Sequence, residues 1–282
     1  MHKIGWHLKN VDPVMREDWG IISRVPPAAI TFISGERVTP QDIGRILEIS
    51  PQCHVIMRPS FKPGLIATRE ELLLFIRGAK AHMDDFRDFI PEGQRHLQIF
   101  NEQNMPRQDP QWQGFGTTLE DMKHFNEWFC IAYDELKAHD PSWKIGWTPL
   151  TIGNMDVWME GDPLDVPYYM HGPEASHPGA SDEEVKAAIL SGPCYESLMK
   201  ADEYYAHIYL VTDARKRMYE EAYGMRWKLY EKFFPKPMDI FFTENGLDVD
   251  PDSYPEWYDL LRRYPQVKGT CLWILGEGNF FL

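Results

Sequence analysis

The chain has 282 residues, a size that fits one large domain of the α/β-barrel kind, and 43% of them are hydrophobic, enough to fill a core. Its net charge of −14, from 29 Lys and Arg against 43 Asp and Glu, would repel a phosphate backbone or an anionic membrane surface, which argues against nucleic acid and membrane as partners. An uncharged partner fits better, and ten tryptophans offer flat apolar platforms for one, although core packing accounts for most aromatic residues.

The N-terminal stretch MHKIGWHLKN has no apolar core of signal-peptide length, and no later stretch approaches ~18 uninterrupted apolar residues. The sequence therefore predicts a soluble chain, cytoplasmic or released by a non-standard route. Cys53, Cys130, Cys194 and Cys271 are scattered and form no C-x-x-C pair, so buried free thiols are expected.

In chain order, apolar β-rich runs at KIGWHL from Lys3, AAITFIS from Ala28 and CHVIMRP from Cys53 predict three strands. A capping box of Thr68 and Glu71 opens a helix before the fourth strand, HLQIFNE from His96. A second box, Thr117 with Glu120, opens a long helix in which Leu119, Met122, Phe125, Phe129, Ala132, Tyr133 and Leu136 recur every three or four residues. That stripe should lie against a sheet. The fifth strand, KIGWTPL from Lys144, leads into TIGNMDVWMEGDPLDVPYYMHGPEASHPGA, too long and too rich in Pro and Gly for a bare connection and read as an active-site loop. Ser181 with Glu184 opens the next helix, and YYAHIYL from Tyr204 forms the sixth strand. DARKRMYEEAYGMRWKLYEKFF reads as helix despite Gly224, and DIFFTEN from Asp239 and VKGTCLWIL from Val267 complete eight strands.

Apolar strands alternating with helices imply a parallel sheet, and eight of them imply a closed (β/α)8 TIM barrel, one domain over residues 1–282. An open doubly wound sheet is the rival, but no G-x-G-x-x-G follows the first strand. Because Leu282 comes only a few residues after the eighth strand, the C-terminal closing helix is expected to be short or missing.

In such a barrel the chemistry sits at the C-terminal strand ends. Those ends carry Arg58 after VIM, Asn101 and Glu102 after LQIF, His207 and Tyr209 in AHIYL, Glu244 after FFT, and Trp273 in the eighth strand. Two carboxylates facing each other across a small mouth are what glycosidic bond cleavage needs, one protonated for the leaving oxygen and one ionised toward the anomeric carbon. Arg58 or Tyr209 could hold one glutamate ionised. His207 and Tyr209, two apart on a strand, share a face, and Trp273 offers a surface on which a sugar ring can stack.

IFNEQN resembles the fourth-strand Asn-Glu of the clan A glycoside hydrolases, and FFTEN resembles their seventh-strand nucleophile. The His-x-Tyr of strand six and the Trp of strand eight are similar to the same clan, notably its family 5 enzymes. The resemblance implies a retaining glycoside hydrolase without metal or cofactor. It implies Glu102 as acid/base, Glu244 as nucleophile, Asn101 on the sugar's 2-hydroxyl and Tyr209 on the nucleophile. Arg58 is assigned to the mouth because the third strand has its histidine at its beginning instead. Thr243 to Gly246 is also locally similar to the nucleophile motif of family 1 β-glucosidases.

A non-catalytic carbohydrate-binding barrel is the alternative, and an inverting hydrolase a further one. His171, His177, Asp162 and Asp165 in the long loop lack zinc-ligand spacing. The loops after strands seven and eight, ENGLDVDPD and GEGNFF, are acidic and would repel a phosphate. Trp112 and Trp158 are candidate subsite aromatics.

Overall fold

The computed structural model describes residues 2–8, 16–35, 38–59, 68–102, 115–116, 118–149, 181–209, 216, 218–219, 224–225, 227–228, 231, 234–246 and 251–275. Eight strands form a closed, all-parallel barrel in sequence order: β1 (Ile4–Leu8), β2 (Ala29–Ser34), β3 (His54–Pro59), β4 (Arg95–Gln98), β5 (Lys144–Trp147), β6 (Glu203–Tyr209), β7 (Asp239–Gly246) and β8 (Val267–Leu275). Closure comes from β8 pairing directly with β1, with Gly5 opposite Cys271. Lys3 reinforces it by donating to the Tyr264 and Val267 carbonyls. The barrel therefore closes within the described residues; any closing helix after β8 would fall outside them.

The helices follow from local chemistry. In α2 (Pro40–Ile49), α3 (Arg69–Arg87), α4 (Leu119–His139) and α5 (Asp182–Leu190), a Thr or Ser accepts from the N3 amide while the N3 carboxylate reaches back to the cap. The boxes at Thr68/Glu71 and Ser181/Glu184 are as expected. The box expected at Thr117/Glu120 is instead Thr118 with Asp121, one residue on. That register puts Met122, Phe125, Phe129, Ala132 and Leu136 against the sheet, with Leu119 and Tyr133 partly buried beside them. Further helices are α1 (Arg16–Arg24), α6 (Tyr195–Lys200) and α7 (Tyr254–Leu261), and none of the described helices is long and apolar enough to cross a membrane. The helix expected at 213–234 and the long loop after β5 fall mostly or wholly outside the described residues.

Strand alternation sorts the side chains into two layers. Ile30, Phe32, Val55, Met57, Tyr204, Ile208, Ile240 and Phe242 face outward into the sheet–helix core, whereas Ala29, Ile56, Tyr205, Phe241 and Cys271 form a separate cluster in the lumen. All four cysteines are buried free thiols, as expected. Toward the N-terminal ends of the strands the lumen is polar. His54 Nδ1 is 2.9 Å from His96 Nε2, His96 Nδ1 is 2.8 Å from Glu203 Oε1, and the Tyr205 hydroxyl donates to the same oxygen at 2.6 Å. A buried carboxylate is tolerated there because two donors satisfy it.

Candidate active site

The opposite, C-terminal end of the barrel collects Arg58 from β3, Asn101 and Glu102 just past β4, His207 from β6 and Glu244 from β7. Simple alternation along β7 would turn Thr243 inward with Phe241 and send Glu244 outward. An irregularity corrects this: Ala206 pairs with Phe242, but His207 pairs with Glu244, so Thr243 is an extra residue in the strand. Such a bulge re-aims the next side chain, here turning Glu244 to the face that His207 occupies.

Glu102 and Glu244 are both buried, 6% and 5% exposed, and therefore need partners inside the protein. Arg58 Nη1 donates to Glu244 Oε1 at 2.8 Å. His207 Nδ1 lies 2.9 Å from Glu102 Oε1 and 3.4 Å from Glu244 Oε2, so one ring nitrogen sits between the two carboxylates. One oxygen from each glutamate and the His207 nitrogen lie within 4.8 Å of one another. Glu102 has φ +43°, a left-handed conformation that non-glycine residues adopt at a cost of about 1–3 kcal/mol and that concentrates at functional sites. Asn101 is buried beside it, and its Oδ1 accepts from Gln98 Nε2 at 2.9 Å.

The structure thus brings together Arg58, Asn101, Glu102, His207 and Glu244. Tyr209 and Trp273 occupy the ends of β6 and β8, but their side chains lie outside the described residues. Trp112, Trp158, Asp162, Asp165, His171 and His177 lie outside them as well, as do most of the loop after β7 and the whole of the loop after β8.

Two residues of this end were missed in the sequence. His7 on β1 pairs with Thr31, whose hydroxyl reaches Cys271 in the lumen, so His7 also faces inward. The charges bearing on it are Glu244, Arg58 and His207. A polar residue near the end of an apolar first strand was the available signal. Gln98, fully buried at the end of β4, gave the same signal.

His7 and His54 should make the fold acid-sensitive. Burial is the chief cause that lowers each to a pKa of about 4 from an ordinary 6.5; Arg58 and His207 add to this at His7 against the pull of Glu244, and His96 and Lys144 add to it at His54. As pH falls through about 6.5 the unfolded chain takes up protons at both sites, while the folded chain does so only near 4. Stability from these groups is therefore full above pH 6.5 and lost on approach to pH 4. Urea midpoints measured from about pH 7.5 down to about 4.5 should fall, and His54→Asn should flatten the slope. A midpoint that does not change over this range would contradict the assignment.

Glu102, His207 and Glu244 also form the one group among the described residues with the proximity to hold a divalent cation. Arg58 already presents a positive charge to Glu244, and the His207 nitrogen is engaged with carboxylate oxygens, so the set is that of a hydrogen-bonded carboxylate pair more than a ligand cage.

No protein-family model matches the sequence, and no curated protein matches it. Solved structures with a similar fold include a Bacteroides uniformis β-glucuronidase 2 covalently bound to cyclophellitol-6-carboxylate aziridine, with a TM-score of 0.61 and 10% identity over 97% of this chain and 30% of that one. A glucosidase from Croceicoccus marinus has a TM-score of 0.60 and 10% identity, covering 99% of this chain and 62% of that one. A broad-specificity GH5-4 endoglucanase from Clostridium longisporum has a TM-score of 0.52 and 10% identity, covering 97% and 85%. The chain spans less than two thirds of the first two proteins, and at this identity the likeness is one of fold: a (β/α)8 barrel similar to those of glycoside hydrolases.

Proposed function

We propose that the chain is a retaining glycoside hydrolase that cleaves O-glycosidic bonds of an oligo- or polysaccharide by double displacement, with Glu102 as acid/base and Glu244 as nucleophile. The observation that carries this reading is the pair of buried glutamates at the ends of β4 and β7, with an oxygen of each no more than 4.8 Å apart. This proximity supports the close pair of a retaining enzyme, whose carboxyl groups lie about 5–5.5 Å apart, over the pair about 6.5–9.5 Å apart of an inverting one. The glycosidase character of the fold neighbours supports it.

The surroundings support this division of roles. Arg58 is always charged and only donates, so it complements Glu244 as the carboxylate that attacks the anomeric carbon. Glu102 gives its proton to the glycosidic oxygen as that bond breaks, and the sugar is left as an ester of Glu244. Glu102, now a carboxylate, takes a proton from water as the water attacks the same carbon and Glu244 departs. His207, in contact with both groups, keeps them in mutual register through the two steps. Asn101 is assigned to hydrogen-bond the sugar, and Tyr209 and Trp273, at the ends of β6 and β8, to contact the nucleophile and stack on the ring.

A panel of chromogenic aryl glycosides tests the reading. Hydrolysis of at least one, lost in the Glu102→Gln and Glu244→Gln variants, is expected. Saturable binding of a sugar with no hydrolysis anywhere in the panel would favour a non-catalytic carbohydrate-binding barrel.

A further inference from the structure

We propose that Gln98 is a positioning residue of this site: it decides which end of the Asn101 amide faces a bound sugar, and it clamps the segment that presents Glu102. The inference rests on the hydrolase reading for its kinetic consequence, but its structural core stands without it.

Gln98 is the last residue of β4 and is fully buried. Its Nε2 donates to the Phe100 carbonyl at 3.2 Å and to Asn101 Oδ1 at 2.9 Å. The two ends of an amide differ little in shape, so chemistry must assign them. A backbone carbonyl only accepts, so the Gln98 end that meets Phe100 must be the NH2. An NH2 only donates, so the Asn101 end that meets it must be the oxygen. The polarity of Asn101 is thereby fixed from inside the barrel. Its Nδ2, with two hydrogens, is the end left for a ligand, and it can meet a hydroxyl oxygen but cannot accept from a hydroxyl hydrogen.

The same pair of bonds ties the Gln98 side chain to residues 100 and 101, in the irregular stretch immediately before Glu102 at φ +43°. A non-glycine residue stays in that region only when its surroundings hold it there. The strand ladder cannot do so, because the β4–β5 pairing ends at Gln98 opposite Gly146. The side chain of Gln98 takes over from the ladder at the point where the chain leaves the sheet, and so couples the placement of Asn101 to that of Glu102.

Gln98→Met keeps the length and approximate volume of the side chain and removes the donor. Gln98→Glu puts an acceptor against two oxygens and should turn the Asn101 amide around. In the wild type, removing one particular hydroxyl from a hydrolysed substrate should lower kcat/KM, because Asn101 donates to it. In Gln98→Met, kcat with the full substrate should fall by about 10- to 100-fold with a smaller change in KM, and the penalty for that one deoxy substrate should shrink by a similar factor. Gln98→Glu should be at least as impaired. A uniform loss across all monodeoxy substrates, or wild-type kinetics in Gln98→Met, would overturn the positioning role. Absence of hydrolysis by the wild type would count against the hydrolase reading alone. The side-chain amide resonances of Asn101 then decide without substrate: one sharp pair in the wild type, shifted and broadened in Gln98→Met, is expected, and an unchanged pair would overturn the inference.

Discussion

Glu244→Ala is expected to lower hydrolysis of an aryl glycoside by on the order of 10⁴- to 10⁶-fold, as loss of a covalent nucleophile does in other enzymes. The alanine leaves a space beside Arg58 that azide can occupy. Azide then attacks the anomeric carbon directly as Glu102 protonates the leaving oxygen, and the glycosyl azide has inverted configuration. Glu102→Ala should behave differently. An activated aryl group needs little protonation, so Glu244 still forms the ester, but no base remains to take a proton from water and the ester accumulates. Azide, already an anion, attacks it without that help and gives a glycosyl azide of retained configuration. Proton NMR of the two products reads the assignment. Inversion from the Glu102 variant with retention from the Glu244 variant would reverse the roles, and full activity in either variant would remove that residue from the chemistry.

The largest expected effect on stability lies at the other end of the lumen. Glu203→Leu should destabilise the fold by about 3–5 kcal/mol, because it takes the acceptor from two buried donors, His96 Nδ1 and the Tyr205 hydroxyl. The site is sealed, with Glu203, His96 and Tyr205 all fully buried, so water cannot replace the lost bonds without opening the barrel. His96→Leu in the Glu203→Leu background should cost much less than it does alone, since the two groups share one network. Urea denaturation of the four proteins gives the coupling. A loss under about 1 kcal/mol for Glu203→Leu, or simple additivity, would mean that the network contributes little to holding the strands.

The barrel was legible because its signals are local. Apolar β-rich runs marked all eight strands, and the eighth, Val267–Leu275, matches the expected segment residue for residue. β4 was expected to run through Glu102 but ends at Gln98, because the Phe100 carbonyl bonds to a side chain instead of a neighbouring strand. The capping template asked for Glu at N3 and so chose Thr117/Glu120 over Thr118/Asp121 and passed over Thr39/Asp42. In both true boxes the shorter aspartate makes the return bond.

The site was legible in its residue types and not in its geometry. Strand-end reasoning found Arg58, Asn101, Glu102, His207 and Glu244, and left open whether Arg58 or Tyr209 meets a glutamate. The contact of Arg58 with Glu244 joins positions 186 residues apart, which no local pattern reports. The bulge at Thr243 has no glycine or proline to announce it, yet it decides which way Glu244 points. His54, His96 and Glu203 stand near the starts of three different strands, far apart in sequence, and only barrel closure makes them one network.

The most direct measurement is the anomeric configuration of the first-formed product, followed by proton NMR as the wild-type protein hydrolyses whichever aryl glycoside it accepts and before the sugar mutarotates. Two displacements at one carbon, the first by Glu244 and the second by water activated by Glu102, give a product with the configuration of the substrate. Retention is the predicted result. A first-formed product of opposite configuration would mean a single displacement by water, and would contradict Glu244 as the nucleophile.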